Sequence, residues 1–396
     1  MQTYCFKLYR SHRNRKLHKQ INTAGCIYNH CIALHKRYYR LFHKSLNMYK
    51  LQKHLTKLKR LSRFAYLKEI GSQAVQEITQ RIDRAYRLFF SNRKNNLRTS
   101  PPSFKKVSRY KSFTLKQAGW NLNEADNSII IGKQRYRYAK SREINGTVKI
   151  LTIKRDALGD IYLYFVCEAA ENTVMARTGK SVGFDFGLKT FLTASDGKDI
   201  KAPLFFRQNR LAIAKANKIL SRKVKGSQNR RKAKLALARL HKRVHDQRNN
   251  FHWQTAHRLV GEYALISLED LNLKGMQKLY GRKISDLGFA DFFSKLEYLA
   301  SKTGTSVVRI GRYYPSSQLC SCCGCQNKDI KNLKVRTWLC PKCGAVHNRD
   351  KNAAINIKSE GEYETMSFSI FTLEDENVLK FLEEAFNACG KAIARE

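Results

Sequence analysis

The sequence predicts an α+β chain of several domains, and three observations carry that prediction. Apolar residues alternate at Tyr4, Phe6 and Leu8, and short alternating runs return between about 103 and 178. Between them, from about 14 to 95, apolar residues recur at helical spacing inside a strongly basic background. From Ser181 onward come short all-apolar runs that read as buried strands, and six of the eleven cysteines crowd into residues 320–343.

Taken in order, residues 1–9 read as a strand. Two long helical segments follow, at about 17–62 and 65–92, until Pro101-Pro102 breaks the pattern. Ser128–Ile131, Thr147–Ile153 and Ile161–Val166 read as strands with glycine at the turns, so a β-barrel or sandwich with the helices inserted into it is expected. Leu211, Ile213, Ile219 and Leu220, then Leu235, Leu237, Leu240 and Val244, predict ordered helices through the second basic stretch. An amphipathic stretch near Leu379–Ala392 reads as a surface helix or frayed tail.

Charge narrows the partner. The 396-residue chain has 76 Lys and Arg against 31 Asp and Glu, a formal net charge of +45. Seventeen Lys or Arg precede the first acid, Glu69; from Arg207 to Arg248 there are fifteen, with Asp246 the lone acid. Such a surplus repels itself unless a polyanion neutralises it, so nucleic acid is the expected partner. No run of about 18 apolar residues suits a membrane span, and the opening residues lack the apolar stretch of a secretory signal. Clustered cysteines suit metal binding in a reducing, cytoplasmic setting better than a disulfide framework.

Three acidic positions carry candidate chemistry. Asp185 lies in the apolar run Val182–Gly187, where a charge is costly unless it is paired, with Lys189 for example, or binds metal. Glu269 and Asp270 close the run Tyr263–Leu268, where acids also cap turns. Asp350 opens a helix, a position equally suited to an N-cap. Together they match the arrangement of RNase H-type nucleases: one strand carboxylate, one at the end of a later strand, one at a helix start. Three carboxylates on rigid elements suffice to hold two Mg²⁺ ions, one readying a water and one stabilising the leaving oxygen.

The cysteines point to one structural Zn²⁺. Cys340-Pro-Lys-Cys343-Gly344 is a zinc knuckle, and Cys320-Ser-Cys322-Cys323-Gly324-Cys325 offers two registers for its partner. Cys320/Cys323 is preferred over Cys322/Cys325 because Gly324 follows it as Gly344 follows Cys343. Sixteen residues separate the pairs, a workable ribbon, and His347 is a possible substitute ligand.

The chain resembles the TnpB proteins of insertion sequences, relatives of type V CRISPR effectors. The resemblance rests on Gly183–Lys189, Ser195–Gly197, Leu268–Asn272, Gly275-Met276, Ser317 with Cys320 through His347, Arg349-Asp350 and Asn352–Ala354. It extends more loosely to Arg81–Phe90 and Pro102–Lys105. It implies an RNase H-like (RuvC) nuclease domain with Asp185, Glu269 and Asp350 as its magnesium-binding catalytic triad. That domain would comprise 181–315 and 348–366, with the zinc ribbon at 316–347 inserted and a tail at 367–396. A wedge β-barrel (1–13 and 96–180) would carry an inserted helical recognition lobe (14–95). The implied partners are a guide RNA from the element's end and double-stranded target DNA beside a short adjacent motif, bound by a monomer. Ser72, Gln73 and Gln76 on one helix, with Ser112 and Thr114 after the strand break, are candidate motif readers, since Gln can pair with adenine. Asn348 stands where the family commonly has Asp, and Cys322 and Cys325 are extra. Competing readings are a transposase, a guide-dependent repressor that does not cut, and a plain zinc-containing RNA-binding protein.

Overall fold

A computed structural model describes residues 1–168, 177–332 and 334–371. The chain divides into two compact units, Met1–Glu171 and Asn172–Glu396, each with its own apolar core.

In the first unit, β1 (Gln2–Leu8) buries Tyr4, Phe6 and Leu8 on one face, the period of two set by strand geometry. Three helices follow: α1 (Asn14–Phe42), α2 (Met48–Leu58) and α3 (Ser72–Lys94). The first long helix expected from the pattern is in fact two. His43 adopts a left-handed conformation (φ 49°) that stops α1, and Asn47 Oδ1 accepts the Lys50 amide at 2.9 Å to start α2. The strands then come in quick succession: β2 (Ser112–Leu115), β3 (Trp120–Asn123), β4 (Ser128–Ile131), β5 (Gln134–Ala139), β6 (Thr147–Arg155) and β7 (Ile161–Glu168).

Where the sequence pattern allows a barrel or a sandwich, the pairing gives one antiparallel seven-stranded sheet, β2-β6-β7-β1-β5-β4-β3, with β2 and β3 at its ends. β1 sits inside it, with Thr3 opposite Val166 and Lys7 opposite Ala139. The helices are therefore an excursion between the first strand and its partners. Leu17, Ile21, Ala24 and Ile32 of α1 share one core with Phe6, Phe165 and Tyr138 of the sheet.

The second unit opens with β8 (Ser181–Asp185), β9 (Thr190–Ala194) and β10 (Ile200–Lys201), followed by α4 (Phe205–Ser221) and α5 (Gln228–Glu262). Next come β11 (Leu265–Glu269), α6 (Leu273–Leu287), α7 (Phe289–Thr303) and β12 (Ser306–Ile310). A hairpin of β13 (Thr337–Leu339) and β14 (Val346–Asn348) leads directly into α8 (Arg349–Phe371). The sheet order is β10-β9-β8-β11-β12, with β8, β11 and β12 mutually parallel. β8 and β11 are central and buried along their middle residues, which explains their uninterrupted apolar runs.

α8 lies directly on this sheet. A Cβ at Gly183 would fall 2.2 Å from the Ala354 carbonyl oxygen, and one at Gly361 would fall 2.0 Å from Ser267 Oγ. Only glycine permits such proximity. The amphipathic stretch near Leu379–Ala392 lies outside the described residues. Among the described residues, no helix is long and apolar enough to cross a membrane.

Gly183→Ala is expected to cost about 1–3 kcal/mol or more, because it collides with backbone rather than a movable side chain. Gly261→Ala, with no atom within 4 Å of the added carbon, is expected to be neutral or stabilising. Chemical denaturation of both variants checks the contrast.

Candidate metal centres

Strand register sets the first two carboxylates side by side. Leu268 pairs with Phe184 in the parallel β8–β11 ladder, so Asp185 and Glu269 leave the same edge of the sheet one residue later. Burial pushes the Asp185 carboxyl well above the usual range, and the charges of Glu269 and Asp350 push it further; the Phe186 amide and Arg349 pull the other way. Glu269 is also raised by burial, offset in part by Ser316, whose hydroxyl donates to Oε1 at 2.5 Å. Among the described residues neither carboxylate has an ion-pair partner, and Lys189 does not serve as one. Half-buried acids set side by side, one raised by the charge of the other, fit a divalent cation, which removes the repulsion and favours hard oxygen ligands.

Asp350 occupies the first turn of α8 without capping it. Asn348 caps instead, its Oδ1 accepting the Lys351 amide at 3.1 Å. The Asp350 side chain is thus free of the cap role that the sequence allowed. Its charge reaches Asp185, while its two oxygens accept Arg336 Nη1 at 3.0 and 3.2 Å.

The ribbon decides between the two cysteine registers by symmetry. Around Cys320, the Gly324 amide donates to the Cys320 carbonyl at 2.9 Å and the Cys320 amide to Cys325 O at 2.9 Å. Around Cys340, the Gly344 amide donates to the Cys340 carbonyl at 3.0 Å and the Cys340 amide to Ala345 O at 2.9 Å. Gly324 and Gly344 share a left-handed conformation, φ 70° and 69°. The sulfurs of Cys320, Cys323, Cys340 and Cys343 lie within 4.8 Å of one another, a set that could hold one structural zinc. Amides of Cys343 and Lys342 draw the Cys340 thiol down, while burial and the neighbouring sulfurs hold Cys323 and Cys343 up, so these groups share their protons as one cluster. Cys320, Cys322 and His347 form an overlapping set. His347 Nε2 lies 3.0 Å from Cys320 Sγ and its ring packs on Trp338, the placement of a group supporting a ligand from outside. Among the described residues these cysteine sets are the ones with ligand atoms this close; the three carboxylates are not yet so gathered, with Asp350 turned to Arg336.

Several contributors are not evident from the sequence pattern. Asn352 donates to Leu319 O at 2.6 Å and accepts the Ser321 amide at 3.0 Å; Asn356 donates to Ser316 O and Leu319 O at 2.7 and 2.8 Å. These two buried amides, one helical turn apart, bind α8 to the loop that carries Ser316 and Cys320. Their i, i+4 spacing was the available signal.

The basic features divide. α4 and α5 are ordered helices as expected, but Leu211 is 78% exposed, so their apolar residues do not all pack inward. Asp286 accepts the Phe206 and Arg207 amides at 2.8 and 3.2 Å, anchoring the start of α4. In the first unit, Ser72 and Gln76 are exposed, and Gln73 and Ser112 are half-buried. A cleft of about 540 Å³ beside Gly71 carries Lys16, Lys19, Lys68 and Lys133. Thr114 is a poor reader: it is buried, and its hydroxyl is engaged by Arg81 at 3.2 Å and Thr152 at 2.8 Å.

Comparison with known proteins identifies the family. Residues 164–279 match the OrfB_IS605 family model, described as "Probable transposase", and residues 289–357 match the "Cas12f1-like, TNB domain" model. A "Putative RNA-guided DNA endonuclease" of Streptomyces pristinaespiralis is 33% identical over 309 residues, spanning 78% of this chain and 76% of that protein. The "Putative RNA-guided DNA endonuclease InsQ" of Escherichia coli K12 is 28% identical over 353 residues, spanning 85% and 86%. Among solved structures, the mini-RNA-guided endonuclease CRISPR-Cas phi3 shares 11% identity at a TM-score of 0.49, over 91% of this chain and 92% of that one. The family models and the relatives place the chain among insertion-sequence proteins with a Cas12f1-like domain. It belongs to the TnpB family.

Asp185→Asn removes a half-buried charge that Glu269 and Asp350 repel, and it is expected to raise the metal-free melting temperature by roughly 2–4 °C, about 1 kcal/mol for a unit of this size. The native chain is expected to gain stability on adding Mg²⁺, and Asp185→Asn is expected not to. Calorimetric scans with and without Mg²⁺ check both effects. Cys340→Ser is expected to reduce bound zinc from one ion per chain to none, read by elemental analysis, whereas Cys322→Ser leaves it at one.

Proposed function

We propose that this chain is an RNA-guided endonuclease that hydrolyses double-stranded DNA beside a short transposon-adjacent motif, in the service of insertion-sequence maintenance. The observation that carries the reading is the pair of half-buried carboxylates, Asp185 and Glu269, at the ends of adjacent parallel strands, with the charges of Glu269 and Asp350 both raising Asp185. That arrangement supports an RNase H-like (RuvC) domain, and the names of the relatives support guided DNA cleavage.

Asp185, Glu269 and Asp350 would hold two Mg²⁺ ions, which supply a readied water and charge stabilisation at the leaving oxygen. Ser316 fixes the orientation of Glu269 through its hydrogen bond. The closed four-thiolate ribbon has no open ligand position, so its zinc serves structure rather than chemistry.

The rest of the chain grips and reads. A formal charge of +45 suits RNA and heteroduplex backbones, while base pairing with the guide identifies the target. The first unit would act as wedge and recognition lobe, with Ser72, Gln73, Gln76 and Ser112 near the adjacent motif. The complex would act as a monomer with its RNA in the prokaryotic cytoplasm.

Purification with the co-transcribed RNA, followed by incubation with matched DNA and Mg²⁺, tests the reading. Cleavage that needs RNA and metal, and is lost in Asp185→Ala while DNA binding persists, is the expected result. Cleavage without RNA, or normal cutting by Asp185→Ala, would overturn it.

A further inference from the structure

The end of α1 carries rings that no core needs. Tyr39 is 52% exposed and Phe42 57%, with Tyr49 at 67% just inside α2. They are not scattered singly. Tyr38 and Phe42 stand 4.8 Å apart between ring centroids, and Tyr39 meets His43 edge-on at 6.0 Å. Arg37, Arg40 and Lys44 are exposed among them, and among the described residues none of these three has an ion-pair partner. No acid occurs anywhere in the first 68 residues.

We propose that this segment, Arg37–Lys50, is a stacking platform for unpaired nucleotide bases of a single strand. Aromatic faces take any base by stacking, and neighbouring cations follow the backbone without reading sequence. Duplex bases are already stacked on each other and offer no free face except at the ends. A second copy of this chain is the poorer occupant, since it would press one cationic patch against another. The choice of nucleic acid as partner rests on the proposed function; the preference for unpaired over paired bases rests on the exposed rings.

The test uses the full chain and labelled strands of about 20 nucleotides: oligo-U, oligo-dT and a mixed-sequence duplex. Tyr39→Ala/Phe42→Ala is expected to weaken single-strand binding roughly 5- to 150-fold, the range of one stacked base, and to leave the duplex nearly unchanged. The dependence of affinity on salt should keep its slope, because no cation is removed, whereas Arg37→Ala/Arg40→Ala should flatten it. Tyr39→Phe/Phe42→Tyr keeps the rings and should retain affinity. A loss with oligo-U alone identifies RNA as the occupant, with oligo-dT alone a displaced DNA strand, and with both the shared base chemistry. Unchanged single-strand affinity, an equal loss on duplex, or a fall in sedimentation mass that reveals self-association would overturn the proposal. A wild-type chain that binds no strand at all would instead defeat the nucleic-acid reading itself.

Discussion

The contact of α8 with β8 at Gly183 is the constraint on which the second unit turns. At that point the helix backbone occupies the space where any side chain would stand. The helix is therefore held at a fixed depth over the strand that ends in Asp185, and its first turn carries Asp350. Gly361 repeats the approach over β11, which ends in Glu269. Two glycines thus set the depth at which α8, whose first turn carries Asp350, lies over the strands that end in Asp185 and Glu269.

The ribbon completes this arrangement from the other side. Its last strand runs into α8 with no connecting residue, and Asn348 serves both as the end of the β13–β14 ladder and as the helix cap. Asn352 and Asn356 then tie the helix back to the first knuckle. The geometry of the cysteine ribbon is passed through short hydrogen bonds to the helix that carries Asp350. Electrostatics supplies the opposing tendency. Asp185 and Glu269 are half-buried at neighbouring strand ends, where the charge of Glu269 raises Asp185, and the packing of α8 must offset that cost.

Much of this was legible in the sequence. The alternation of Tyr4, Phe6 and Leu8 identified β1, and the apolar runs at 182–187 and 263–268 identified the two central parallel strands. Gly324, repeating Gly344, chose the cysteine register that the backbone hydrogen bonds support. Other features depended on contacts between distant residues. The break at His43 hinges on a left-handed residue that periodicity does not reveal. Thr114 looked available because it follows a loop, yet pairing with β6 buries it beside Thr152. Arg336 and Ser316, which touch two of the three acids, lie in segments whose local pattern says nothing of their partners.

The central claim is that these acids form one divalent-cation site, assembled by the ribbon and α8. Anomalous diffraction from crystals of the chain grown with Mn²⁺ tests it most directly. The account predicts anomalous density bounded by Asp185, Glu269 and Asp350, with the Asp350 carboxylate turned from Arg336 toward the ion. Ordered Mn²⁺ elsewhere with these three carboxylates unliganded, or Asp350 still paired to Arg336 at saturating metal, would contradict it.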